Sequence, residues 1–161
     1  MDKIKSSLYT INRIVEEGLQ FNIPRYQRLY VWEDEQVKTL FHDLHTAFTV
    51  GKELYYLGGI ILVKNQWKEG LYDLVDGQQR FTTLWLMTIE LGGSFKEFRN
   101  LGNELRIQFA IRPKVEKYFQ QLSADSELTI ELSKEFEDLI RIDFAKKRLK
   151  ELIRSKINDD E

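Results

Sequence analysis

The chain has 161 residues and a mass of 19.2 kDa, with 42% hydrophobic and 12% aromatic residues but only 2 prolines and 9 glycines. That composition excludes a wholly disordered chain and suits one domain, or a domain with a helical appendage, able to bury roughly 70% of its unfolded surface. Lys+Arg 24 against Asp+Glu 26 leaves a net charge of -2, against a stand-alone electrostatic DNA binder, and the lack of cysteine excludes disulfides and thiolate chemistry.

The start, Met1-Asp2-Lys3-Ile4-Lys5, leads into no apolar signal region, and no apolar run nears the roughly 18 residues of a membrane span, so a cytoplasmic setting is expected. Residues 6–18 set Leu8, Ile11, Ile14 and Val15 at helical spacing, with Gly18 as the stop. In residues 21–32 Pro24 pushes Ile23 into an extended conformation, so the segment reads as an ordered loop or short strand. Glu33, Asp34 and Glu35 place acids where a helix N-terminus favours them. Val37, Leu40, Phe41, Leu44 and Phe48 then give that helix one apolar face up to Gly51. Residues 55–63 are apolar and β-branched enough for a central strand, 65–70 are turn-like, and 71–75 read as the return strand of a hairpin.

After Asp76-Gly77-Gln78-Gln79-Arg80, residues 81–91 are apolar and helix-length, ended by Gly92-Gly93-Ser94. Leu105, Ile107, Phe109 and Ile111 alternate with Arg106, Gln108, Ala110 and Arg112, the pattern of a half-buried strand. Pro113 opens a helix to Leu122, and residues 123–126 form a loop. Residues 130–157 are helical, with Leu132, Phe136, Leu139, Ile140, Phe144, Leu149, Leu152 and Ile153 on the apolar side, and Asn158-Asp159-Asp160-Glu161 fray. The class is α+β, a small mixed β-sheet surrounded by helices. Residues 1–112 form the main domain and 113–161 a C-terminal helical extension.

The informative feature is the strand–turn–helix around Asp76-Gly77-Gln78-Gln79-Arg80. A strand that opens a helix through Asp-Gly aims unpaired N–H groups at one spot, which suits an anion. Asp76 can cap the helix and Gly77 permits a tight turn. Arg80 in the first turn opposes the helix dipole by roughly 0.3–1 kcal/mol, a sign that a bound phosphate would reverse. The residues equally admit a capped helix whose Arg80 pairs with Asp76 or another acid. In an extended segment Tyr26, Arg28, Tyr30 and Trp32 share one side, offering arginine forks and aromatic faces. An aromatic loop covering the core, its arginines in surface ion pairs, explains the same residues. His42, Asp43 and His45 lie on one helix without an evident third metal ligand, and Asp73 is either a second carboxylate beside Asp76 or a solvent-facing strand residue. There is no P-loop, no Gly-x-Gly-x-x-Gly and no His-Glu-x-x-His.

Ile23 to Trp32, Tyr56-Leu57-Gly58-Gly59-Ile60-Ile61-Leu62, and Val75-Asp76-Gly77-Gln78-Gln79-Arg80-Phe81-Thr82-Thr83-Leu84 together resemble the N-terminal domain of the GmrSD-type restriction endonucleases. The resemblance covers roughly residues 4–92 well and the remainder loosely. It implies a ParB/sulfiredoxin-like fold, a bacterial restriction or anti-phage defence system, and nucleoside triphosphate binding, with hydrolysis open, at the Asp76–Arg80 turn. Magnesium bound with the nucleotide is the implied cofactor. The matching positions are Pro24, Gln27, Arg28, Tyr30 and Trp32 in the first motif and Asp76, Gly77, Gln78, Gln79 and Arg80 in the main one. By chemistry, Arg28 and Arg80 neutralise phosphate, and N–H groups from Gly77 to Gln79 cradle it. Asp76 holds magnesium or orients water that Gln27 or Gln78 positions, making Asp76, Gln78 and Arg80 the catalytic candidates.

Family proteins continue into a long helical region and an HNH-type nuclease domain, so this chain, ending at Glu161, is expected to lack HNH nuclease activity and to work with a nuclease domain or subunit. Two other readings compete. One is a non-catalytic module that docks a nuclease partner, or another copy of itself, through the C-terminal helix. The other is a ParB-like DNA-binding or nicking domain using a patch of Arg25, Arg28, Arg80, Arg106 and Arg112.

Overall fold

A computed structural model describes residues 5–130 and 136–159. Helix α1 is Ile11–Glu16, shorter than the periodicity predicts: the Thr10 hydroxyl accepts from the Arg13 N–H and starts it, leaving Leu8 exposed outside. Gly18 does stop it. At φ +61° its N–H reaches Val15 O while the Leu19 N–H reaches Ile14 O, the two-bond closure that glycine permits. Strand β1, Gln20–Ile23, follows, and then an ordered loop leads to α2, Asp34–Thr49. Val37, Leu40, Phe41 and Ala47 are the buried side of α2, whereas Phe48, expected on that side, is 84% exposed.

The hairpin is β2, Ile61–Lys64, and β3, Leu71–Asp76. Helix α3, Gln78–Leu91, starts directly after it, with Gly92 at its end. A short turn of 3-10 helix, Gly93–Phe95, leads to α4, Lys96–Arg99, and the small strands β4, Asn100–Leu101, β5, Glu104–Leu105, and β6, Ile107–Phe109. Helix α5 is Pro113–Ser123, with proline in its first turn as predicted, and α6 is Glu137–Asp159.

The main sheet has the order β2-β3-β1-β6. Strand β1 runs parallel to both β3 and β6, with Phe21 opposite Tyr72 on one side and Ile107 on the other, while β2 is antiparallel to β3. The fold is therefore the expected mixed α+β arrangement, with one change of position. The central strand predicted over 55–63 is a four-residue edge strand, exposed along its length, because β1 occupies the other side of β3. The predicted 105–111 strand is split, its first part pairing with β4 and its second with β1.

Arg106 also departs from the alternation rule. It is buried, and its guanidinium donates to Leu19 O at 2.5 Å, Glu97 O at 2.6 Å and Phe98 O at 3.0 Å. A planar cation with five donors can satisfy carbonyls from several segments at once, so an interior position is accessible to it.

Helix α3 is the spine of the core. Phe81 packs on Phe21 with ring centroids 4.6 Å apart, and Trp85 packs on Phe119 at 4.5 Å. Helix α6 lies against α3 and α2, with Leu139, Ile142, Ala145, Leu149, Leu152 and Ile153 in the same apolar cluster as the sheet residues. The Tyr118 hydroxyl donates to Asp143 at 2.7 Å and ties α5 to α6. The predicted helix over 130–157 begins later, at Glu137, with Ile140 and Phe144 partly exposed, and it includes Asn158 and Asp159 rather than fraying there. Leu132, Asp160 and Glu161 lie outside the described residues. Among the described residues no helix is long and apolar enough to cross a membrane.

Candidate functional site

Three stretches distant in sequence meet at the N-terminus of α3: the loop after β1, residues 58–60 before β2, and the Asp76–Arg80 turn. The turn needs its glycine. Gly77 sits at φ +85°, and a Cβ there would lie 3.0 Å from Ile60 Cγ1 and 3.3 Å from Gly59 O. Gly77 is itself the N-cap, and no side chain caps the helix. The capping role expected for the Asp76 carboxylate is not realised: Asp76 is exposed at the end of β3, and its carboxylate makes no hydrogen bond or ion pair among the described residues. No acid lies in the first turn of α3, so its outermost N–H groups have no first-turn carboxylate beside them.

Arg80 is the cation at this end. Its Nη1 donates to Gly59 O at 3.2 Å, and it makes no ion pair with Asp76 or any other acid among the described residues. Its guanidinium lies against Gly58. A Cβ added to Gly58, which has φ +105°, would come within 2.7 Å of Nη1. The capped-helix alternative, with Arg80 paired to an acid, is thus not the arrangement found.

The two glutamines face inward. Gln79 is buried and both ends of its amide are used: Nε2 donates to Leu29 O and Oε1 accepts from the Val31 N–H, each at 2.9 Å. It imitates one rung of a β-ladder and fixes the loop backbone. Gln78 donates from Nε2 to Arg28 O at 3.1 Å, but its Oε1 is buried without a partner among the described residues. Gln27 donates to Val75 O at 2.8 Å. Thr83 donates to Gln79 O, so the Tyr30 hydroxyl donates to Thr83 at 2.8 Å, and burial pushes the Tyr30 phenol up to about 12. Pro24 is buried and Trp32 packs against the core.

The loop therefore does not display its predicted side. A turn closed by the Gln27 N–H on Pro24 O breaks the alternation, leaving Tyr26 and Arg28 exposed while Tyr30 is buried. Arg28 makes no ion pair among the described residues and lines a cavity of about 10 Å³ with Gln78, Gln79, Thr82, Arg112 and Asp138, room for one water-sized group. A larger hollow of about 300 Å³ lies beside Arg112, Pro113 and Glu116. Asp76, Gly77 and Arg80 line neither of these two.

The proposed DNA patch loses two members. Arg106 is interior, and Arg112 is engaged with Gln27 O at 2.7 Å and with Asp138 at 3.7 Å. Asp73 accepts from Asn22 and Asn65, a strand-bracing role. Among the described residues no group of three or more His, Cys, Asp or Glu could hold a metal ion, so His42, Asp43 and His45 form no such site.

Sequence reasoning quoted Gly58, Gly59 and Thr83 only as parts of the family motifs, without a site role, and placed Arg112 only in the candidate DNA patch. Paired glycines inside an apolar strand pattern were the available signal, since they mark close backbone approach. Residues 11–160 match the family described as GmrSD restriction endonuclease, N-terminal domain. No curated protein matches the chain.

Proposed function

The chain belongs to the GmrSD restriction endonuclease N-terminal domain family, and we propose that within such a restriction system, acting in phage defence with a nuclease partner domain, it binds a nucleoside triphosphate at the start of α3. The observation that carries this reading is Arg80. A cation in the first turn of an uncapped helix, held by a carbonyl and matched by no acid among the described residues, is unfavourable by itself and favourable once an anion arrives. A phosphate there accepts from the N–H groups of Gly77, Gln78 and Gln79 and from the Arg80 guanidinium.

Arg28, which makes no ion pair among the described residues, supplies a second cation from the loop. Pro24, Gln27, Tyr30, Trp32 and Gln79 act on the nucleotide through that loop, by holding it in place. Asp76 fits a magnesium ion that arrives with the nucleotide: an exposed, unpaired carboxylate suits an ion that keeps most of its waters and binds through one or two carboxylates plus phosphate. That ion would neutralise phosphate charge. If hydrolysis occurs, the exposed Asp76 carboxylate is a group able to orient the attacking water, whereas Gln78 Oε1 is buried inside the loop contact.

The test is a calorimetric titration with ATP, GTP, CTP and UTP plus magnesium, repeated on Arg80→Ala. Saturable binding by the wild type, weakened at least about tenfold in a variant with unchanged melting temperature, is expected, since a lost charge-assisted hydrogen bond is worth ~1.5–3 kcal/mol. Equal binding by the variant removes this site from consideration. No binding by the folded wild type removes the reading for this chain.

A further inference from the structure

The loop of residues 24–32, which carries Arg28, is gripped from two sides. From α3 the glutamines take Arg28 O, Leu29 O and the Val31 N–H. The groups flanking that stretch are taken from the direction of α6. Arg112 Nη2 donates to Gln27 O at 2.7 Å, and Arg112 Nε lies 3.7 Å from Asp138 in the first turn of α6. Three residues on, and so on the same face of that helix, Arg141 reaches Glu33 at 3.0 Å, where the loop enters α2. Arg28 from the loop, Gln78 from α3, Arg112, and Asp138 and Ile142 from α6 line one cavity, so all these segments meet at one point. The two α6 contacts differ in strength. Arg112 and Asp138 keep 14% and 10% of their side-chain surface, so salt screens that pair little, whereas Arg141 and Glu33 keep 31% and 72%.

We infer that α6 sets the nucleotide affinity of the α3 site, with Arg112, Asp138 and Arg141 as positioning residues for the loop that carries Arg28. This rests on the nucleotide reading given above. The loop is the element with two states, held or released, and α6 biases it through Arg112. Linkage makes the effect reciprocal: a nucleotide that fixes the loop also fixes the first turn of α6, and releasing α6 weakens the nucleotide by the same factor. Whatever moves α6 therefore changes nucleotide binding.

The test is calorimetric titration of the full chain with the tightest of ATP, GTP, CTP and UTP plus magnesium, together with amide hydrogen exchange. Arg112→Met should weaken binding by about three- to thirtyfold and speed exchange over residues 27–31. Asp138→Asn keeps the size and a hydrogen-bonding group, so it should fold normally and act in the same direction. The two changes together should do no more than Arg112→Met alone, because they break one contact. Arg141→Gln, on the screened pair, should cost about twofold. Arg154→Gln, exposed near the other end of α6, should change nothing. Saturating nucleotide should slow exchange over residues 139–142 in the wild type and not in Asp138→Asn, a response that a purely structural contact would not carry. Wild-type affinity in folded Asp138→Asn, or no protection of α6 by nucleotide, overturns the inference and leaves the nucleotide site standing. An equal loss from Arg154→Gln overturns it as well, by assigning the effect to net charge. A wild type that binds none of the four overturns the nucleotide reading and this inference with it, a failure told apart because it precedes any variant.

Discussion

Two helix N-termini in this molecule answer the same electrostatic problem in opposite ways. At α2 the Glu33 N–H donates to Gln36 Oε1 at 3.0 Å in a capping box, and Asp34 and Glu35 sit in the first turn. Two of these three acids are in turn matched by α6, with Arg141 on Glu33 at 3.0 Å and Arg148 on Asp34 at 2.7 Å. The positive end of that helix is thus neutralised inside the chain and then used to fasten α6. At α3 the cap is a glycine, the first turn has no acid, and its charged member is Arg80. A field that the fold consumes at one end is left open at the other, and an open field beside an unmatched arginine is what an external phosphate needs.

The sharpest way to break the comparison is Gln79→Ala. It removes two hydrogen bonds to the loop from a buried side chain, so a loss of about 2–3 kcal/mol is expected, read by thermal unfolding as a drop of roughly 5–10 °C. A drop within error would show that the loop holds without α3. Next comes Gly58→Ala, whose left-handed backbone adds strain of about 1–2 kcal/mol and whose new methyl group must push the Arg80 guanidinium aside. Nucleotide affinity should fall as far as in Arg80→Ala. Gly93→Ala, with nothing within 4 Å of the added carbon, should leave affinity and stability unchanged.

On the other helix, Gln36→Ala undoes the capping box and should cost about 0.5–1 kcal/mol in chemical denaturation, with nucleotide titrations unaltered. The smallest effect is one of pH. The Lys38 ammonium, with Arg148 behind it, holds the Asp34 carboxyl below its ordinary value. A depressed carboxyl stabilises the fold above its unfolded value near ~4 and ceases to do so as pH falls through the lower folded value. The melting-temperature gap between wild type and Asp34→Asn should therefore be widest above pH ~5 and close on acidification below ~4. A gap that stays constant would separate Asp34 from the α2–α6 clamp.

Local chemistry made much of this legible. The Gly18 stop, the acidic start of α2, the β2–β3 hairpin and the Pro113 start of α5 each depend on a residue and its immediate neighbours. The Asp-Gly turn into α3 was legible for the same reason, and so was the family, because three short motifs in order are a property of the string. Phe48, Tyr26 and Arg106 were misplaced where periodicity names a face without saying what covers it.

The linear order of residues was therefore sufficient for the α+β class, most element starts and stops, and the placing of Asp76, Gly77 and Arg80 at the start of α3. The fold alone decided that β2 lies at an edge, since β1 returns to take the other side of β3. It alone made the glutamines clamps, because a side-chain amide finds backbone partners some 50 residues away only after the chain has closed on itself. Arg80 shows the division most plainly: its sequence position sets its conflict with the helix dipole, but only its packing against Gly58 and Gly59, with no acid paired to it among the described residues, leaves that conflict standing.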